Sequence, residues 1–224
     1  METGEETVSD SRTAILSRIS RTLAHAAAAD APEILQRIEA HARGPLPQWE
    51  TSPRERFIQK LEKVVSTWAE VASQAHIEQA VSDYLAAHSL PQRLAVAPHP
   101  LLDGVIWPEG WQAERRRAQG DDRVSLAVAF CAIAETGSLM LLAGPDSPTT
   151  LNFLPDDFLC VLPTNRIVPR MEDAWTLLRE ERGAMPRAAN IITGPSRTAD
   201  VEQTIQLGAH GPRRLHVLLM RDGA

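Results

Sequence analysis

The chain of 224 residues is predicted to fold as an α/β protein: a three-layer α/β/α sandwich around a mainly parallel sheet, with a helical extension at the N-terminus. Three observations carry this. Beyond Pro53, short apolar runs alternate with segments of helical period, the pattern of strands joined by crossover helices. The runs are apolar at consecutive positions, as suits strands covered on both faces. Turn clusters rich in Gly, Pro, Ser and Thr close them. At 43% hydrophobic residues the chain can bury a full core.

Taken in order, Ser11 to about Ala29 repeats Ile15, Ile19 and Leu23 on one helical stripe, and a second helix carries Ile34, Leu35 and Ile38. The segment 41–53, with Gly44, Pro45, Pro47 and Pro53, reads as a linker. Residues 1–52 are therefore expected to form an extension and linker, and 53–224 the α/β domain. Phe57, Leu61 and Val64 mark the next helix, Thr67 to Val71 a first strand, Ile77, Val81, Tyr84 and Leu85 a further helix, and Arg93 to Ala97 a strand. The region 99–122 reads as loop around a short helix, with Trp107 and Trp111 folding onto the domain. Val124 to Val128 is a strand, Ala129 to Ala134 a short buried helix or turn, Leu139 to Leu142 a strand, and 145–155 turn-rich. Phe158 to Leu162 is a strand, and Met171, Ala174, Trp175 and Leu178 give the helix after it. Ile191-Ile192 forms a strand stopped by Gly194-Pro195, and Leu215 to Met220 is the last strand. Between them, a helix carrying Val201, Ile205 and Leu207 is expected, capped by Ser196 or Thr198 and ended by Gly208.

A formal charge of -6 argues against a nucleic-acid binder. The run Arg115-Arg116-Arg117 lies beside Glu114, Asp121 and Asp122 and reads as a solvated face. Cys131 and Cys160 support neither a disulfide framework nor a cysteine-ligated cluster, and both suit small buried positions. No run of about 18 apolar residues is long enough to cross a bilayer, and the N-terminus lacks a basic region followed by an apolar one. No membrane association and a cytoplasmic location are expected. Phosphate loops of the G-x-x-x-x-G-K-[ST] type, G-x-G-x-x-G, H-E-x-x-H and G-x-S-x-G are all lacking, and the seven histidines have no metal-ligand spacing. No metal is expected.

Three polar clusters fall at strand ends: Glu135-Thr136-Gly137-Ser138, the segment 193–202, and Gly208-Ala209-His210-Gly211-Pro212. In open parallel sheets ligands sit outside the carboxyl ends of strands, so the first two are expected to wall one cleft. Glu135, between an apolar run and a turn, suits a general acid, base or nucleophile, or else a cap on backbone N–H groups or a partner of Arg197. Thr136, Gly137 and Ser138 suit either ligand contact or plain turn chemistry. In the second cluster, Thr193, Gly194, Ser196, Arg197 and Thr198 would present backbone N–H groups, hydroxyls and a planar cation to an anion or polar ligand. Asp200 and Glu202 count against a simple phosphate cradle and suit the start of a helix. His210 and Gly211 complete the candidate binding set, with His210 either a titrating group or a structural one.

These clusters, together with Leu151-Asn152-Phe153-Leu154-Pro155, resemble in order and spacing the signatures of the LUD domain family of lactate utilization protein C (LutC/YkgG) type, from about Pro53 to Met220. Phe158 stands where many members carry a histidine. The resemblance implies a NagB/RpiA/CoA-transferase-like fold and a bacterial, cytoplasmic role in oxidising L-lactate to pyruvate beside iron–sulfur proteins. Those partners would carry the clusters, with no cofactor in this chain. It implies a non-redox ligand-binding or assembly subunit whose ligand is a small anionic metabolite or a nucleotide. The alternative is an enzyme with Glu135 as nucleophile or base on an acyl, CoA-thioester or folate-like substrate.

Overall fold

The computed structural model describes residues 5–24, 31–41, 43–198, 206–208 and 210–221. The chain divides into two units, Met1–Gln48 and Trp49–Ala224. The first holds α1 (Glu5–Ala24) and α2 (Ala31–Ala40). Ile15, Ile19 and Leu23 of α1 and Ile34, Leu35 and Ile38 of α2 are exposed.

The second unit begins at Trp49, whose ring lies between the guanidinium groups of Arg56 and Arg170, at 5.0 and 4.9 Å. The helix α3 (Pro53–Lys63) starts on a capping box. The Ser52 Oγ accepts the Glu55 N–H and the Glu55 carboxylate accepts the Ser52 N–H. Pro53, without an N–H to lose, takes the first helical position.

The strands follow as β1 (Thr67–Val71), β2 (Arg93–Val96), β3 (Gln112–Arg115), β4 (Val124–Val128), β5 (Cys131–Ile133), β6 (Ser138–Leu142), β7 (Asp157–Pro163), β8 (Ile167–Val168), β9 (Ala189–Ile192), β10 (Arg197–Thr198), β11 (Gln206–Leu207) and β12 (Arg214–Met220). The helices α4 (Ile77–Ala87), α5 (Thr150–Phe153) and α6 (Met171–Arg182) lie between them. Six strands form a sheet in the order β1-β12-β7-β4-β2-β3, parallel throughout. Phe57 and Leu61 of α3 and Ile77, Val81, Tyr84 and Leu85 of α4 join the core with the buried residues of β4, β7 and β12. The three-layer α/β architecture with a mainly parallel sheet is the one the sequence predicts. Trp107 and Trp111 stack at 5.6 Å and pack against this core.

Four details differ from the sequence expectation. The segment expected to be a buried helix or turn at 129–134 contains the strand β5, in a second sheet of order β8-β5-β6-β9. Leu139 to Leu142 and Ile191-Ile192 belong to this sheet, in which β6 runs antiparallel to both neighbours. Cys131, Ile133, Met140 and Leu142 meet Ala174 and Leu178 of α6, while Ala132, Leu139 and Leu141 turn into the main core. Both faces are apolar, so no alternation marked the hairpin. The edge strand β3 lies in the region read as loop, because Gln112 to Arg115 is largely exposed and polar. Finally, the helix expected after Thr198 is replaced at both ends by an antiparallel pairing of β10 with β11. The intervening residues, with Asp200, Val201, Glu202 and Ile205, lie outside the described residues.

Arg116 pairs with Asp122 and Glu114, and Arg115 with Asp103, so the first two arginines of the run are neutralised locally. Cys131 and Cys160 are both buried, and burial pushes both thiols up, Cys131 to about 12.

A buried polar network ties strand starts to α4. Arg214 donates to both carboxylate oxygens of Asp157, at 2.5 and 2.7 Å, and Tyr84 donates to Asp157 at 2.7 Å. The Tyr84 ring in turn packs on His88 and His216, with centroids at 4.4 and 4.6 Å. The His216 Nδ1 lies 2.7 Å from the Thr67 hydroxyl. Burial, with the nearby His88 adding to it, lowers His216 to about 4. The unfolded chain therefore binds this proton more readily below about pH 6.5. The stability contribution is complete above that pH and is lost as pH falls toward 4, at about 1.4 kcal/mol per pH unit within the window. Urea unfolding between pH 4 and 7 should show this slope in the native protein and a shallower one in His216→Gln.

Candidate ligand-binding site

Hairpin geometry decides where the candidate residues go. The turn between β5 and β6 is closed by the Gly137 N–H donating to the Ile133 carbonyl at 2.9 Å. Gly137 has φ +75°, and a Cβ there would stand 2.6 Å from the Lys60 Cβ. Gly194, at φ +80°, would place a Cβ 2.8 Å from the Val64 carbonyl oxygen. Both motif glycines thus meet the end of α3, and no other residue type fits either backbone or space. Gly194→Ala should cost about 2 kcal/mol through left-handed strain and overpacking. In a thermal melt it should lower Tm by about 4–8 °C.

Because β9 pairs antiparallel with β6, the two clusters meet at one edge. The Thr136 and Ser138 hydroxyls are 2.6 Å apart, and the Ser138 and Thr193 hydroxyls again 2.6 Å. Beyond Gly194 the third cluster is clamped on: the Ser196 N–H donates to the Pro212 carbonyl at 2.8 Å, and the Gly208 N–H to the Ser196 carbonyl at 3.0 Å. All three clusters are therefore adjacent, held by these bonds and by the β10–β11 pairing.

Their position corrects the expected cleft. They are not at the carboxyl ends of the parallel strands. The cavity that Gly194, Ser196, His210 and Gly211 help to line, about 240 Å³, abuts Phe158 and Leu215, the second residues of β7 and β12. The antiparallel small sheet carries the motifs to the amino-terminal end of those strands.

Glu135 is half-buried at the hairpin turn, outside the wall of this cavity. Its N–H donates to the Pro169 carbonyl at 3.0 Å, and its carboxylate accepts the N–H of Met171, the first residue of α6, at 3.4 Å. That places its charge at the positive end of the helix dipole. Arg197 is exposed and donates to the Val64 carbonyl at 3.5 Å, at the end of α3 rather than to Glu135. Thr198 pairs through its backbone with Gln206. The side chain of Thr198, and all of Asp200 and Glu202, lie outside the described residues.

One residue absent from the candidate set becomes central. Asn152, on the four-residue helix α5, is 1% exposed and lines the cavity, and neither its Nδ2 nor its Oδ1 has a hydrogen-bond partner. Buried amides are ordinarily satisfied, so one sealed beside a cavity with neither end partnered is the unusual polar feature of this wall. The helix is anchored by the buried Ser125 hydroxyl, which donates to the Leu151 carbonyl at 2.6 Å. Phe153, Phe158, Ile191 and Ile192 add apolar wall around the amide. The sequence signal was present, since Asn152 sits in the Leu-Asn-Phe-Leu-Pro motif. What was missing was any sign that its side chain points inward. The arrangement can recognise a planar group with adjacent donor and acceptor while burying its faces. Among the described residues no group of three or more His, Cys, Asp or Glu could hold a metal ion.

Comparison with known proteins gives a consistent family. The LUD domain model matches residues 24–220, starting well ahead of Pro53. The lactate utilization protein C of Anoxybacillus flavithermus is 34% identical over 116 residues, covering 50% of this chain and 52% of that protein. The protein of the same name from Geobacillus thermodenitrificans is 31% identical over 120 residues, covering 52% and 50%. The chain thus spans about half the length of the curated relatives it matches. A crystal structure of a DUF162 family protein from Deinococcus radiodurans superimposes with TM-score 0.56 at 20% identity, covering 76% of this chain and 99% of that one. It shares the fold. Among the described residues no helix is long and apolar enough to cross a membrane.

Proposed function

Because the chain belongs to the LUD domain family, we propose that it serves as a non-redox subunit of a cytoplasmic L-lactate utilization system. In this role it binds a ligand in the Asn152 cavity and docks on iron–sulfur proteins that carry the redox chemistry. The observation behind ligand binding is the bare Asn152 amide at the point where three signature motifs converge. The pathway rests on the names of the relatives.

Of the two ligand classes the sequence suggests, a nucleotide fits better than a small anionic metabolite. Its base offers a donor–acceptor edge to Asn152 and a flat face to the exposed Phe153. Its anionic end would lie toward the cavity mouth near exposed His210. A pull-down from cells grown on L-lactate, with mass spectrometry of co-purifying proteins and small molecules, tests both halves. Iron–sulfur proteins and a nucleotide should be recovered; a preparation with neither overturns the proposal. The accessory role also expects Glu135→Gln to support growth on L-lactate like the native protein. Loss of growth with an intact fold would move the chemistry to Glu135.

A further inference from the structure

The carboxyl ends of the parallel strands, where an open α/β sheet ordinarily binds its ligand, hold a different crevice from the Asn152 cavity. It receives Val128 from the end of β4, Pro163 from the end of β7, and His99 from just beyond β2. At about 240 Å³ it falls below the range of about 300–1,000 Å³ that suits drug-sized ligands, and so fits a small molecule. A neighbouring cavity of about 280 Å³ shares Leu142, Asp146 and Arg182 with it. Apart from its charges the joint space is largely apolar, with Leu101 and Val128 on one side of Leu142 and Ala143 and Pro186 on the other.

Two opposite charges line both cavities. Asp146 sits on the turn from Gly144 to Ser147, in which the Ser147 N–H donates to the Gly144 carbonyl at 3.2 Å. A Cβ on Gly144 would stand 2.8 Å from the Asp146 Oδ1, so the carboxylate lies back over its own turn. Arg182 is the last residue of α6, where the negative end of the helix dipole favours a cation, and lies 5.9 Å from the Phe130 ring centre. Among the described residues neither Asp146 nor Arg182 makes an ion pair. The other charged pair in the wall is closed: Arg166 donates to both carboxylate oxygens of Glu181 and to the Phe130 carbonyl. His99 adds a donor. Its Nδ1 accepts the Leu101 N–H at 3.1 Å, so the neutral ring carries its proton on Nε2. Burial lowers the ring below its ordinary value, with Asp146 opposing and Arg182 reinforcing, so both charges reach it. The Ser147 hydroxyl also lacks a partner but is sealed from this space and takes no part.

One lone cation and one lone anion in an otherwise neutral wall are complementary to a molecule carrying one charge of each sign. A plain carboxylate leaves Asp146 unpaired, and an amine leaves Arg182 unpaired. A hydroxyl gives Asp146 a hydrogen bond but no opposite charge, and a phosphate dianion meets it as a like charge. We propose that this crevice is a second ligand site, for a zwitterionic α-amino acid with an apolar side chain. Arg182 and the His99 Nε2–H hold the α-carboxylate, Asp146 accepts the ammonium protons, and the side chain packs on Leu142 and its apolar neighbours.

Isothermal titration of the full chain with L-leucine, isocaproate, isopentylamine and leucic acid tests this. The four share one apolar body and differ only in the head: both charges, the carboxylate alone, the ammonium alone, and a hydroxyl in place of the ammonium. Leucine should bind more tightly than each of the others, by about tenfold or more for the missing hydrogen bond to a charged group. Arg182→Gln should weaken leucine by about tenfold or more and leave isopentylamine unaffected. Asp146→Asn should erase the preference for leucine over leucic acid. Each variant is checked for a native melting profile, and the ligand series on the native protein decides if a variant does not fold. Absence of leucine binding, equal or tighter binding of any of the other three, or full leucine affinity in both variants would overturn the assignment. The titration uses neither a nucleotide nor an Asn152 variant, so failure here leaves the Asn152 proposal standing or falling on its own test.

Discussion

Asn152→Leu should leave the fold at least as stable as the native protein while abolishing nucleotide binding and growth on L-lactate. A buried polar group without a partner costs about 1–3 kcal/mol, and Asn152 has two such ends. Leucine keeps the branched shape, loses that cost and directs its bulkier methyl groups into apolar contact with Phe158 and Leu215 beside the cavity. Thermal melting should therefore show an unchanged or higher Tm, and binding should fall below detection because no other described side chain on the wall pairs a donor with an acceptor in this way. A lower Tm with full growth would make Asn152 a structural residue and remove the basis for the site. The opposite signs expected for stability and function are what distinguish a binding group from a core group.

Asp157→Ala should produce the largest stability loss. Its fully buried carboxylate receives both Arg214 and Tyr84, and burial together with that carboxylate pushes the Tyr84 phenol up. Alanine would leave a guanidinium and a phenol facing a cavity at the junction of β7, β12 and α4. Breaking a buried pair from one side typically costs about 3–5 kcal/mol, and the lower end applies because Arg214 retains some solvent contact. For a domain of this size that is a Tm decrease of roughly 6–12 °C. The double variant Asp157→Ala with Arg214→Met should recover part of the loss, since the orphaned charge is then removed as well. Equal melting of the single and double variants would show that the charge is not the cause.

Much of the scaffold was legible because the pattern that specifies it is local. The helical period of Phe57 and Leu61, the Ser52–Glu55 cap and the continuous apolar runs of β4, β7 and β12 each state their own secondary structure. The clustering of Thr136, Ser138 and Thr193 could also be anticipated from strand ends. The partition of strands between two sheets could not: β5 and β6 bury both faces, and their antiparallel return depends on a turn whose Gly137 fits against α3. Nor could the polar edge strand β3, whose pairing comes from its neighbour rather than its own apolar content. At the two ends of the helix expected after Thr198, a cap signal competed with the pairing of β10 and β11 that Ser196 and Gly208 close.

Residue type and spacing alone sufficed for the family, the α/β class and the buried state of both cysteines. Only the tertiary structure decided that the signature motifs gather at the amino-terminal end of β7 and β12, that Glu135 sits on the start of α6, and that Asn152 and Ser147 are buried without partners. These are facts about which distant groups share a space, and no local pattern encodes whether a buried polar atom finds its partner.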